Sequence, residues 1–211
     1  MRLFGAWSAL RIMYSIIHMR SPRERMVVSA ALLIRERGAH ATAISDVLEH
    51  SGAPRGSAYH YFPGGRTQLL CEAVDFAAEY VANLITAAPD SMHLLDTLMD
   101  TYRQQLLDSD FRAGCPVVAV AVEAGEGGDQ ERMAPVVERA AAAFDRWSEL
   151  MAQRFVADGI AAASAHELAA LATSALEGAI LLARVRHDLA PIDAVHRQLR
   201  NLLAAQLPER N

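Results

Sequence analysis

Residues 51–65 read SGAPRGSAYHYFPGG. Four glycines and two prolines bracket one arginine, two tyrosines and a histidine, in a chain that otherwise reads as amphipathic helix. Upstream, Ile44, Val47 and Leu48 recur at helical spacing, and Ser51-Gly52 breaks their helix. Pro54 sets the first turn of a further short helix that runs to about Phe62, and Pro63-Gly64-Gly65 ends it. Two short helices about a tight, glycine-containing turn make a helix-turn-helix. Gly52 supplies the backbone geometry that a Cβ would obstruct. Ala58 and Phe62, four apart, face inward, which leaves Arg55, Ser57, Tyr59, His60 and Tyr61 outward. A short helix with a small, polar start fits a DNA major groove, and Gly56 allows close backbone approach. The tyrosine hydroxyls, His60 and the N–H groups at the helix start suit phosphates. The competing reading is a helical hairpin that serves only as core, with Tyr59 and Tyr61 packed inside.

Working outward, Ser21-Pro22-Arg23-Glu24 has the form of a helix start, with a capping hydroxyl, Pro at the first position and Glu at the third. Met26, Ala30, Leu33 and Ile34 continue it to Gly38. Thr42 is expected to cap the second helix. Beyond the glycine pair a long helix is expected over 66–86, then helices over 91–108, a short apolar piece over 114–123, and helices over 130–158 and 165–187. Pro191 precedes the last one. Alternating, β-type patterning is sparse, so the predicted fold class is all-α: an N-terminal three-helix helix-turn-helix domain over 20–66 and a C-terminal helical domain for ligand binding and dimerisation over 67–211. Residues 1–19 are apolar but interrupted by Arg11, too short to span a bilayer, and are expected to be a poorly ordered extension, with Met19 an alternative start. No membrane partner is expected.

Charge sharpens this division. The 211-residue chain carries a net charge of −5, and its 20 basic residues are all arginine. Residues 20–66 hold seven Arg against four Asp/Glu, whereas 67–211 hold 11 Arg against 21. A basic N-terminal third on an acidic body points to a polyanion partner for that third alone. Arginine is the better fork-shaped donor to phosphate and guanine, but a biased, GC-rich genome is the preferred reading of its exclusive use. Cys71 and Cys115 stand alone, without CxxC or His/Cys spacing for zinc, so no metal or cofactor is expected and a reducing, cytoplasmic setting fits.

The run TAISDVLEHSGAPRGSAYHYFPGGRTQL, 42–69, resembles the DNA-binding domain of TetR-family transcriptional regulators. The segment GCPVVAVAVE at 114–123, taken with the double glycine at 64–65, resembles the LmrA/YxaF-like branch. Two positions depart from the family pattern: Arg66 stands where a lysine is commoner, one residue later, and Ala58 replaces a commoner leucine. The resemblance implies that Thr42 caps the second helix and meets a phosphate through its backbone, and that Ser45 reaches phosphate or a base edge. It further implies that Arg55 and Ser57 read bases, that Tyr59, His60 and Tyr61 hold the DNA backbone, and that Arg66 clamps a phosphate. The implied partners are a double-stranded, near-palindromic DNA operator, a second copy of the chain, and a small hydrophobic or aromatic effector of drug-like or flavonoid-like character that releases a repressor from DNA.

Two further residue sets follow from helical spacing. The apolar seam Leu168, Leu171, Ala172, Ala175, Leu176, Ala179, Ile180 and Ala183, joined by Val195, Leu199 and Leu202 of the last helix, is expected to form a four-helix dimer interface; packing within one chain is the alternative. Met92, Met99, Tyr102, Phe111, Met133, Phe144, Trp147 and Met151 are candidates for an effector pocket, since methionine adapts to varied shapes and aromatics stack on flat ones; plain core is the competing reading. An enzyme is not expected. GEGGDQ at 125–130 lacks the preceding strand and the Lys-Ser/Thr of a phosphate loop, and the eight histidines show no ligand spacing. The remaining alternative function is a helical protein-interaction module that does not bind DNA.

Overall fold

Ser21 starts the first helix as its sequence requires. Its hydroxyl accepts from the Glu24 N–H, and the Glu24 carboxylate accepts from the Ser21 N–H, so two donors at the helix start are satisfied reciprocally. The computed structural model describes residues 21–123 and 130–208. The extension expected over 1–19 and the loop expected at 125–128 lie outside the described residues. Every regular element among the described residues is a helix, in the order α1 (Pro22–Arg37), α2 (Ile44–Ser51), α3 (Ser57–Tyr61), α4 (Gly65–Ala87), α5 (Ser91–Asp108), α6 (Pro116–Val122), α7 (Gln130–Ala157), α8 (Ala162–Arg186) and α9 (Ala190–Gln206).

The helices form two compact units: Met1–Ala77 with Pro116–Ala140, and Ala78–Cys115 with Ala141–Asn211. The sequence reading draws one boundary after Arg66, whereas residues 116–140 cluster with the N-terminal unit and the first part of α4 does too. In that unit α1 packs against α2, α3 and α6. Met26, Ile34, Val47, Ala58, Phe62, Leu69 and Leu70 are buried there and fix α3 from its inner face. Arg23 lies over the Phe62 ring, 5.3 Å from its centroid, and its guanidinium pairs with Glu72 at 2.7 Å. In the second unit α9 packs on α8 and α5, and α5 also meets α8. Asp96 of α5 accepts from His196 and Arg200 of α9, and Arg103 donates to Asp193 at 2.7 Å. The Trp147 indole N–H donates to the Ala78 carbonyl at 2.9 Å, which satisfies the one polar atom of a buried ring.

The turn between α2 and α3 closes as a Schellman motif. Gly52 sits at φ +63°, its N–H bonds the Glu49 carbonyl, and the Ala53 N–H bonds the Leu48 carbonyl. Helix α3 begins at Ser57 rather than at Pro54, because Pro54–Gly56 form a turn closed by the Ser57 N–H to the Pro54 carbonyl at 2.9 Å. A Cβ at Gly52 would meet no atom within 4 Å, so a substitution there tests backbone strain alone. Gly52→Ala is expected to lower the unfolding free energy by about 1–2 kcal/mol in urea denaturation, and Gly52→Asn by less.

Candidate nucleic-acid interface and internal cavity

Helix α3 is held from below and open above. Ala58 and Phe62 are buried, while Arg55, Gly56, Tyr59 and His60 are exposed. Tyr59 is 75% exposed, which is a poor position for a tyrosine serving as core and excludes the packed-inside reading for that ring. Tyr61 is half-buried, with its ring edge-on to His60 at 5.2 Å between centroids. The Ser57 hydroxyl donates to the Pro54 carbonyl at 2.6 Å and keeps its acceptor capacity. Ser45, in the first turn of α2, is exposed. Arg55, Gly56, Ser57, Tyr59, His60 and Tyr61 are therefore brought together on one segment.

Thr42 and Arg66 lie differently from expectation. Thr42 does not cap α2: its hydroxyl turns back to the Gly38 carbonyl at 2.7 Å, its N–H bonds the Ala39 carbonyl, and the residue is buried. The cap role falls to Asp46, whose carboxylate accepts from the Ala43 N–H at 3.1 Å. Arg66 faces inward rather than toward an external phosphate. Its Nε donates to the Thr42 carbonyl at 3.0 Å, and one terminal nitrogen donates to the Ala39 carbonyl at 2.5 Å. The other lies 3.9 Å from the Met133 sulfur. The guanidinium thus fastens the α1–α2 turn to the start of α4. Other N-terminal arginines are committed in the same way: Arg37 pairs with Asp46 at 2.6 Å and Arg23 with Glu72. Arg55 has no ion pair among the described residues. The net basic charge of this segment is consequently worth less to an external polyanion than its count implies.

In the second unit a cavity of about 30 Å³ lies among α4, α5, α7 and α8. Its lining includes Met99, Tyr102, Trp147 and Met151 of the eight candidates. The other four lie elsewhere. Met92 borders a separate polar recess with Ser91 and Asp158, Phe111 stacks on His187, Met133 lies under Arg66, and Phe144 stands edge-on to Trp147. Helical spacing could not separate these because it reports which residues face inward, not which of them border the same void. The lining also holds residues that the sequence reading passed over: Val81, Ile85, Leu98, Phe155, Thr173 and Glu177 among them. Glu177 is the one lining residue with a carboxyl group. Burial pushes that carboxyl up to about 7, against the opposing hydrogen bond from the Cys115 thiol. Burial likewise holds the Tyr102 hydroxyl well above its ordinary pKa, so it stays protonated. The sequence signal for this position was available: a lone glutamate inside the otherwise apolar seam of α8.

Leu168, Ala172, Leu176, Ala179, Ile180, Ala183 and Leu199 of the seam are buried within the single chain. Ala175 and Val195 are half-buried, and Leu171 and Leu202 are exposed. The open apolar ridge is the opposite side of α8: Leu171, Leu181, Leu182 and Val185, the last 82% exposed.

The model of bacterial regulatory proteins of the tetR family matches residues 27–73. The model of the LmrA/YxaF-like transcriptional regulator C-terminal domain matches 92–198. The chain belongs to the TetR family. It is a helix-turn-helix, DNA-binding transcriptional regulator and not an enzyme, and the alternative of an interaction module without DNA binding falls. An HTH-type transcriptional regulator of Mycobacterium tuberculosis strain H37Rv is 76% identical over 92% of this chain and 100% of its own length. The HTH-type transcriptional regulator YxaF of Bacillus subtilis is 28% identical over 84% of this chain and 92% of its own. Among solved structures, a TetR transcriptional regulator from Legionella pneumophila shares the fold with a TM-score of 0.76 at 18% identity, covering 87% of this chain and 98% of that one. Another from Chloroflexus aurantiacus has a TM-score of 0.67 at 27% identity, covering 88% and 96%.

Two outcomes follow for this regulator. Arg66→Ala removes the side-chain donor of the Thr42 carbonyl and one of the two donors of the Ala39 carbonyl, so it is expected to cost about 2 kcal/mol of stability, while Arg55→Ala changes stability by less than about 0.5 kcal/mol; chemical denaturation of both variants decides. The Glu177 carboxyl, at about 7 in the fold against 4.5 ordinarily, binds its proton more tightly when folded. Its contribution is therefore fully present below the ordinary value and lost as pH rises through about 7. Relative to the wild type, Glu177→Gln is expected to gain stability between about pH 5 and pH 8, on the order of 1–3 kcal/mol in urea titrations.

Proposed function

We propose that the protein is a cytoplasmic, ligand-responsive repressor that binds a near-palindromic operator as a homodimer, with α3 in the major groove. The observation that carries this reading is the set of exposed Arg55, Tyr59 and His60 with half-buried Ser57 and Tyr61, on a segment anchored by buried Ala58 and Phe62. Arg55 and Ser57 read base edges, the aromatic residues and Ser45 hold the backbone, and Gly56 admits close approach. Arg66 and Thr42 act indirectly, by fixing the turn that carries α2. A two-fold dimer presents two such helices about one helical turn apart, roughly 34–36 Å.

The dimer is built from the outer ridge of α8, Leu171, Leu181, Leu182 and Val185, with Leu202 of α9. Helix α8 has the length and apolarity to cross a bilayer: it has 25 residues, and its most apolar 18-residue stretch has a mean hydropathy of 1.6. Here that apolarity is explained by two coverings: its own chain on one side and a second copy on the other. The effector is a small molecule with a hydrophobic body, taken up between α5 and α8. A cavity of about 30 Å³ holds a water or two. A ligand that enters must widen it, so it prefers a conformation other than the one described, and only such a preference can shift DNA affinity. Ten-fold release needs about 1.4 kcal/mol of it.

Fluorescence anisotropy with DNA from upstream of the protein's own gene tests the groove assignment. Arg55→Ala is expected to lose about 1–3 kcal/mol of discrimination between operator and scrambled DNA, while Tyr59→Ala weakens binding to both alike. Because most N-terminal arginines are internally paired, the wild-type salt slope is expected to be shallow for a dimer of this family. Wild-type affinity and discrimination in both variants would remove α3 from the groove.

A further inference from the structure

The cavity walls are apolar on nearly every side: Val81 and Ile85 of α4, Leu94, Leu95, Leu98 and Met99 of α5, Trp147, Met151 and Phe155 of α7, and Ala172 and Leu176 of α8. Polar atoms gather in one corner. Thr173 and Glu177, one turn apart on α8, line it, and Tyr102 enters from α5. The Cys115 thiol, just before α6, is hydrogen-bonded to both Tyr102 and Glu177. Two atoms in this corner are sealed from solvent and have no hydrogen-bond partner: Glu177 Oε2 and Thr173 Oγ1. An unpaired buried carboxyl oxygen is costly, and native structures seldom leave one without a donor. The lining contributes no Arg, His or Lys to supply it. A ligand that brings a donor into this corner would satisfy that oxygen.

We propose that the effector is an apolar molecule carrying a protonated amine, whose N–H donates to Glu177 Oε2 while Thr173 Oγ1 accepts a second hydrogen bond. The inference rests on the reading of this cavity as the effector site and deepens it to a ligand class. A cation is favoured over a neutral donor because an ionic hydrogen bond in an apolar, water-poor setting is about twice as strong as a neutral one. Charge on the protein side is available on demand. The carboxyl titrates near about 7 in the empty site, and an entering ammonium draws it into its ionised form. The titratable groups that face it are Tyr102 of α5 and Cys115, with Tyr80 of α4 beyond Tyr102. Tyr102 stays protonated across the neutral range, so the pH response of binding belongs to Glu177.

The test uses phenylbutylamine and its neutral isostere phenylbutanol, titrated into the full-length protein by calorimetry at about pH 6 and about pH 8, with Glu177→Gln alongside. The amine remains protonated at both values. Since the ionised carboxyl is the binding form, amine affinity is expected to rise about ten-fold from the lower pH to the higher, whereas phenylbutanol stays flat or weakens. At the higher pH the amine binds about ten-fold or more tightly than phenylbutanol. Glu177→Gln abolishes both differences and leaves phenylbutanol binding in place. The wild-type comparison stands without the variant, should the variant fail to fold. Equal affinities for amine and alcohol with no pH dependence overturn the cation inference and leave the cavity reading intact. Failure of both compounds to bind overturns both.

Discussion

Helix α8 has apolar side chains around most of its circumference, and each side has to be kept from water. Its inner side, from Leu168 through Ala183, is covered by α9 and α5 of the same chain. Its outer ridge, ending at Val185, is not covered by any of the described residues. The flanking strip between them carries Thr173 and Glu177 and forms one wall of the cavity. One helix therefore meets three demands: a core, a cavity wall and an apolar outer face. A helix with an ordinary polar face could meet only the first two.

The N-terminal unit depends on a smaller constraint, the inward guanidinium of Arg66. The α1–α2 connection, residues 38–43, presents carbonyls at Ala39 and Thr42 to one multi-donor partner, and the planar fork of arginine supplies it from the start of α4. Asp46 then holds the start of α2, Gly52 turns the chain, and Phe62 seats α3. These contacts use polar groups internally, while Arg55, Tyr59 and His60 stay exposed.

The N-terminal unit was the more legible part of the sequence, because turns and caps are local. Ser21-Pro22, Gly52 and Pro63-Gly64-Gly65 marked helix ends to within a few residues. Arg66 departs from expectation because the Ala39 and Thr42 carbonyls become its neighbours only when the α1–α2 connection meets α4, and Thr42 because its hydroxyl bonds the Gly38 carbonyl four residues back instead of the start of α2. In α8 the period of 3.6 identified an apolar helix but could not orient it. Sequence alone gives no difference between the side that meets α9 and the side that meets none of the described residues. The cavity was legible only in part for the same reason. Met99, Tyr102, Trp147 and Met151 share a void with Glu177, whereas Met133 and Phe144 are inward residues of other packing sites.

The central claim is that the outer ridge of α8 is covered by a second copy of the chain, and sedimentation equilibrium tests it most directly. At micromolar concentration the wild-type protein is expected to have twice the 22.9 kDa chain mass. A Leu182→Glu/Val185→Glu variant, which alters exposed positions and leaves the core untouched, is expected to sediment at the mass of one folded chain. A wild-type protein that sediments as a single chain would contradict the account, as would a double variant that remains dimeric.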